Sequence, residues 1–158
     1  MTPKKIAFVD RDGVVNKKAA PHQYLTKVED FQFTDGIFEM LTGLTRRGFE
    51  LIIITNQRGI ARGMLAEQDL GAIHAFMQDE FNQRGIKLLD IFYCPHEKDT
   101  CDCRKPKPGM LEQACAKYPI DLANSILISD SPGDTKMGED FGVGHNYLVP
   151  CDEPKLVL

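Results

Sequence analysis

Lys5-Ile6-Ala7-Phe8-Val9-Asp10-Arg11-Asp12-Gly13-Val14-Val15-Asn16 opens with an unbroken apolar run and ends in a turn that carries two carboxylates one residue apart. A short apolar run bounded by a turn reads as a strand buried on both faces, as in a parallel sheet. Charge is costly at the end of such a strand, so Asp10 and Asp12 call for a use. A carboxylate can attack phosphorus, a second can act as general acid and base, and both suit a divalent cation with oxygen ligands. The competing reading is a solvated turn closed by an Asx cap.

Outward from that strand, helical and extended patterns alternate. Residues 5–10 form the first strand, and Gly36 to Arg47 places Ile37, Met40, Leu41 and Leu44 at helical spacing before Gly48. Phe49 to Thr55, with Leu51-Ile52-Ile53-Ile54, reads as a second buried strand. Ala66 to Arg84 is a long amphipathic helix with Leu70, Ile73, Phe76, Met77 and Phe81 on one side and Gly85 as its stop. A third strand is expected from Leu88 to Tyr93, a helix from Met110 to Lys117, a fourth strand from Ser125 to Ser129, a short helix over 133–141 and a fifth strand from Val143 to Val149. This alternation predicts an α/β fold: a doubly wound, mostly parallel, Rossmann-like sheet with right-handed crossovers.

In such sheets ligands collect at the carboxyl ends of the strands. Asp10 and Asp12 follow the first strand, Thr55-Asn56-Gln57 the second, Cys94 to Lys107 the third, and Asp130 with Asp134 the fourth. These segments are expected to converge on one pocket.

At 158 residues the chain fits a single domain, 1–158. Its 42% hydrophobic and 27% charged residues are ordinary for a soluble globular protein. A formal charge of −4 argues against broad nucleic-acid binding, although a local basic pocket is compatible with it. No stretch approaches the roughly 18 apolar residues of a membrane span, and Met1-Thr2-Pro3-Lys4-Lys5 lacks a signal-peptide pattern. These features predict a cytoplasmic chain with no membrane and no nucleic-acid partner.

Three of the five cysteines, Cys94, Cys101 and Cys103, cluster around His96, while Cys115 and Cys151 stand apart. In a reducing compartment such a cluster reads as a metal site more readily than as disulfide chemistry. Three thiolates and an imidazole suit tetrahedral Zn²⁺. With no position open to water, the zinc would be structural and would fix the loop that delivers Arg104 and Lys105. The bland reading is a set of free thiols beside a surface histidine.

Four motifs in order, Asp10-Arg11-Asp12-Gly13-Val14-Val15-Asn16, Ile54-Thr55-Asn56-Gln57, Arg104-Lys105-Pro106-Lys107-Pro108-Gly109-Met110 and Ser129-Asp130-Ser131-Pro132-Gly133-Asp134, make the chain resemble phosphatases of the haloacid dehalogenase superfamily. Within that superfamily it is similar to the heptose bisphosphate phosphatases and the related histidinol-phosphate phosphatases, from Lys5 to about Pro150. The resemblance implies that Asp10 is the nucleophile, forming an aspartyl-phosphate, and that Asp12 protonates the leaving alcohol and then activates water. It implies Mg²⁺ held by Asp10, the backbone carbonyl of Asp12 and Asp130, with Asp134 either behind the ligands or bridged by water. Thr55 and the Asn56 backbone would bond phosphoryl oxygens, and Lys105 would supply positive charge.

Arg104 either grips a second phosphate bidentately or pairs with a surface carboxylate, and Asp134 is equally suited to cap the helix that follows. Both related families carry a zinc loop of this composition. The chain has no insertion long enough for a cap domain after Asp12 or between strands two and three, so an uncapped site is expected.

Gly59-Ile60-Ala61-Arg62-Gly63 and Pro108-Gly109-Met110 resemble the heptose enzymes more than the histidinol enzymes. Arg62 and Arg104 offer charge for a second phosphate. The implied reaction is removal of the 7-phosphate from D-glycero-D-manno-heptose 1,7-bisphosphate, with the anomer open; a monomer is expected. The alternatives are a histidinol-phosphate or other small-molecule phosphatase and, from another class, an inactive zinc-stabilised binding domain. In the fourth motif Ser129 stands where the family often has Gly and Ser131 where it often has Lys, so one fewer positive charge is expected near Asp130.

Overall fold

Strand β1 (Ile6–Asp10) is buried along its whole length, and its neighbours are both parallel to it: β2 (Glu50–Asn56) on one side and β4 (Ile126–Ser129) on the other. This computed structural model describes residues 2–156. The limits of the expected 1–158 domain, residues 1, 157 and 158, lie outside the described residues. With β3 (Leu88–Cys94) and β5 (His145–Leu148) the sheet has five strands in the order β3-β2-β1-β4-β5, every pairing parallel. The expectation of a mostly parallel sheet is therefore met by a wholly parallel one.

Alternation along the strands builds two cores. Ala7, Val9, Leu51, Ile53, Ile126 and Ile128 face α1 (Ile37–Arg46) and α2 (Glu67–Gln83), meeting Leu41, Leu44, Ile73, Met77 and Phe81. Ile6, Phe8, Ile52, Ile54 and Leu127 face α3 (Gly109–Lys117) and α4 (Pro132–Phe141), meeting Met110, Leu111, Ala114 and Met137. A sheet apolar on both faces must be covered on both, and the helices supply the outer layers. No helix is long and apolar enough to cross a membrane among the described residues.

Chain order places the switch point between β1 and β4. From β1 the chain winds outward to β2 and β3, then crosses back through α3 to lay β4 against the free edge of β1. Crevices form where strand order reverses, outside the carboxyl ends of the strands. Asp10 closes β1, and Asp130 follows β4 directly. No cap domain stands over this edge among the described residues.

Candidate active site

A cavity of about 390 Å³ opens at the switch point, lined by Asp10, Asp12, Lys18, Thr55, Asn56, Arg104, Lys105, Asp130, Ser131 and Asp134 among others. Four loops from four different strands thus meet around one space. Of the residues expected there, Arg62 is not in the lining. It sits on the surface, with its Nε 2.9 Å from a Glu97 carboxylate that also pairs with Arg58 at 3.2 Å.

At the floor of the cavity Lys105 Nζ lies 2.8 Å from Asp10 Oδ1 and 2.8 Å from Asp134 Oδ2. Ser129 Oγ lies within hydrogen-bond reach of both carboxylates, 3.2 Å from Asp10 and 2.8 Å from Asp134, and its single O–H serves one of them at a time. Burial pushes the Asp10 carboxyl up to about 7; Lys105 opposes that rise and Asp134 adds to it. For Lys105 burial opposes the charge, but Asp10 and Asp134 outweigh it and hold the ammonium firmly protonated. Asp134 occupies the first turn of α4, yet its side chain reaches Lys105 and Ser129. Of its three expected placements, behind the metal ligands, bridged to the metal by water, or capping the helix, the cap is not the one its side chain takes.

Asp12 is held from both ends. Its Oδ1 accepts from Arg11 Nη2 at 2.8 Å and Asn16 Nδ2 at 3.0 Å, and its Oδ2 accepts from Gln57 Nε2 at 3.1 Å. Desolvation opposes its charge, but the Arg11 guanidinium and the Asn16 bond hold its carboxyl below the usual range. Thr55 Oγ1 stands 3.4 Å from Oδ2 and accepts from Gln57 at 2.9 Å. The Asn56 side chain is committed to the loop: Oδ1 accepts from the Lys105 N–H at 2.9 Å and Nδ2 donates to the Lys105 carbonyl at 3.2 Å. It ties the lysine-bearing loop to the end of β2. Gln57 carries no role in the second motif as read from sequence; its position two residues beyond Thr55, at the end of a buried strand, is the signal that points to it. Arg104 lines the cavity with no carboxylate paired to its guanidinium among the described residues.

The residues that would hold a cation fit one. The Asp130 side chain is almost wholly buried, and its Oδ1 has no hydrogen-bond partner. Lys18 Nζ lies 2.6 Å from Oδ2, an ion pair without hydrogen-bond alignment. Lys18 thus supplies positive charge beside Asp130, where Ser131 in place of a lysine predicts one charge fewer. In the turn, Val14, Val15 and Asn16 direct their N–H groups at the Arg11 carbonyl, at 3.2, 2.8 and 3.1 Å. The Asp12 carbonyl has no backbone donor among the described residues. Gly13, at φ 93°, makes this packing possible, since a Cβ there would meet Asp130 Oδ2 at 2.4 Å. A buried carboxylate with an orphan oxygen, a second carboxylate and a free carbonyl form a donor set suited to Mg²⁺.

The cysteine loop is drawn together beside the cavity. The ligand atoms of Cys94, His96, Cys101 and Cys103 all lie within 4.8 Å of one another. Cys94 Sγ is 2.8 Å from Cys103 Sγ and 3.5 Å from Cys101 Sγ, and His96 Nδ1 is 3.1 Å from Cys103 Sγ. Zinc–ligand bonds of about 2.0–2.3 Å in a tetrahedron need ligand pairs roughly 3.5–3.8 Å apart, so widening the shortest pair and closing the widest, each by about 1 Å, lets this cluster hold Zn²⁺. All five cysteines are free thiols. Gly109 seats the loop on the start of α3, where a Cβ would meet the Asp102 carbonyl at 2.3 Å. Arg104 and Lys105 follow directly on the last of these ligands.

A wholly parallel, uncapped α/β sheet with carboxylates gathered at the ends of its central strand and the strand beside it is the haloacid dehalogenase-like phosphatase fold. The sequence model of the family described as polynucleotide kinase 3 phosphatase matches residues 5–145, and the chain belongs to this family. It is 42% identical over 158 residues to the D-glycero-alpha-D-manno-heptose-1,7-bisphosphate 7-phosphatase of Photorhabdus laumondii, covering 95% of this chain and 85% of the relative. It is 40% identical over 159 residues to the D-glycero-beta-D-manno-heptose-1,7-bisphosphate 7-phosphatase of Vibrio cholerae, covering 96% and 84%. The crystal structure of D,D-heptose 1,7-bisphosphate phosphatase from B. bronchiseptica, complexed with magnesium and phosphate, superposes with a TM-score of 0.84 at 34% identity, over 92% of this chain and 80% of that one.

Proposed function

We propose that the chain is a Mg²⁺-dependent phosphomonoesterase that removes the 7-phosphate of D-glycero-D-manno-heptose 1,7-bisphosphate. The observation that carries this reading is the pairing of a buried, lysine-neutralised Asp10 with a more open, donor-held Asp12 on one cavity, in a chain whose relatives are named for that reaction.

Asp10 attacks phosphorus through a carboxylate oxygen; the bond to the sugar oxygen breaks as the acyl phosphate forms. Asp12 gives its proton to the departing oxygen. The resting Asp12 is held as an anion, and a dianionic phosphate beside it raises its proton affinity, which loads the acid. In the second half Asp12 takes a proton from water as that water attacks the aspartyl-phosphate, releasing phosphate and restoring Asp10. Lys105 and the Thr55 hydroxyl offset charge on the phosphoryl oxygens. Asp10, Asp130 and the Asp12 carbonyl would hold Mg²⁺, which supplies neutralisation of the dianion when bound. The loop of Cys94, His96, Cys101 and Cys103 would hold a structural Zn²⁺.

Arg104, uncommitted to any protein carboxylate, is the group best placed to grip the second phosphate. Arg62 reaches the substrate only by leaving Glu97. In this reading the chain is one domain, monomeric and cytoplasmic, taking a small phosphorylated sugar and neither nucleic acid nor membrane. The relatives carry both anomeric names, so the anomer is a matter for assay.

The test is phosphate release from both anomers of the heptose 1,7-bisphosphate, histidinol phosphate and a 3′-phosphorylated oligonucleotide, with and without Mg²⁺. Preference for either heptose bisphosphate by orders of magnitude supports the reading. Preference for the monophosphate or the oligonucleotide overturns the substrate assignment, and inactivity on all of them favours a binding domain.

A further inference from the structure

The side chain of Arg11 is 1% exposed, between the acid/base carboxylate on one side and a histidine from α2 on the other. Its Nη2 and Nε donate to Asp12 Oδ1 at 2.8 and 3.3 Å. Its remaining terminal nitrogen, Nη1, lies 3.1 Å from Nε2 of His74. A guanidinium has only donors, so His74 must present a bare ring nitrogen and stay neutral. Burial and the neighbouring Arg11 charge favour that form, holding the imidazole down to about 3.

The His74 ring is itself fixed. It packs edge-on against Tyr93 of β3 with centroids 6.3 Å apart, and the Tyr93 hydroxyl donates to Glu67 at the start of α2. The His74 side belongs to a rigid helix–sheet contact and the Asp12 side to the cavity, and Arg11 spans the two. A buried guanidinium N–H without an acceptor carries its desolvation penalty uncompensated, a cost the side chain would escape by tilting toward another partner. A carboxylate at position 74 would satisfy the donor too, but it would compete for the charge that holds Asp12.

We propose that His74 is a positioning residue for catalysis: by accepting from Arg11 Nη1 it fixes the guanidinium, which fixes the Asp12 carboxylate in the orientation for proton transfer. The inference rests on the proposed phosphatase reading and extends it to a residue that does not line the cavity.

Its signature is leaving-group dependence. An alkyl phosphate ester needs a proton on its departing oxygen, whereas an aryl ester with an acidic phenol departs nearly unaided. The experiment measures kcat/KM of wild type, His74→Phe and His74→Gln on a sugar phosphate and on p-nitrophenyl phosphate, with Mg²⁺ saturating. Phe keeps the ring packing without an acceptor, and Gln restores an acceptor without a titrating ring.

The expected result is a loss of about tenfold or more on the sugar phosphate for His74→Phe, a loss at least fivefold smaller on the aryl ester, and recovery of most of the difference in His74→Gln, within the roughly 10²–10⁴ that general acid catalysis contributes. Equal losses on both esters, no loss, or Gln behaving like Phe would overturn it. If His74→Phe does not fold, His74→Leu supplies the acceptor-free variant under the same criteria. A wild type inactive on both esters would sink the phosphatase reading itself, and this inference with it.

Discussion

Lys105 and Asp10 meet at 2.8 Å across 95 residues of sequence, both buried, at the end of the central strand. The ammonium also serves Asp134. Two carboxylates on one buried cation keep it charged, and that cation keeps them from repelling each other. Lys105→Met removes the shared partner and is expected to destabilise the fold by about 3 kcal/mol and to lower turnover at least 100-fold. Urea denaturation without added Mg²⁺, together with steady-state kinetics, checks both. Adding Asp134→Asn to Lys105→Met should recover part of the stability and none of the activity.

Asp10→Asn keeps the shape of the side chain and removes the nucleophile. Turnover is expected to fall by at least about 10³, with the melting temperature within a few degrees of wild type. Asp12→Asn should do the same. A near-normal rate in either variant would refute the assigned role.

The cysteine cluster predicts one zinc per chain by elemental analysis of protein purified without chelator. Cys101→Ser should lower zinc content and reduce the melting temperature by roughly 10 °C, equivalent to about 3 kcal/mol for a chain of this size. Activity should fall with it, since Arg104 and Lys105 follow the last ligand directly. Zinc-free protein of unchanged stability would remove the site.

His74 sets a pH dependence of stability. Its folded pKa, about 3, lies below the ordinary 6.5, so the unfolded chain binds the extra proton. Its contribution is present above pH 6.5 and is lost as pH falls from there toward 3. Relative to His74→Gln, wild type should lose about 2 kcal/mol between pH 7 and pH 5. The comparison isolates this group, because other titrating residues are common to both proteins. A flat difference would show that the imidazole charges freely in the fold.

Gly13→Ala places a methyl group in the Asp130 carboxylate at a backbone angle that disfavours any side chain. A cost of about 1–2 kcal/mol is expected from the left-handed conformation alone. Displacement of Asp130 should raise the Mg²⁺ concentration for half-maximal activity at least tenfold, read by metal titration of the rate. Unchanged metal dependence would argue that Asp130 is not a ligand.

The sequence by itself determined the strands, the helices and the four polar segments that follow the strands. Ile6 to Val9 and Leu51 to Ile54 are apolar without interruption, and such runs are stable only between two layers. From that alone Asp10, Thr55, Lys105 and Asp130 belong at one edge, and all four line one cavity. The Cys94 cluster was legible for a similar reason, since its four ligands lie within ten residues and need only a loop to meet.

Tertiary structure decided which of these groups touch. Asp134 faces Lys105 and not the start of its own helix, Arg62 is held by Glu97 outside the cavity, and Lys18 stands beside Asp130. Asn56 fastens the Lys105 loop with its side chain, and His74 reaches Arg11 from a helix that reads in sequence as amphipathic filler. Local pattern records whether a residue is buried and on which period. The partner of a buried charge depends on sheet order and on the packing of helices dozens of residues away. Contacts across 29, 63 and 95 residues are therefore products of the fold, written nowhere in the segments that make them.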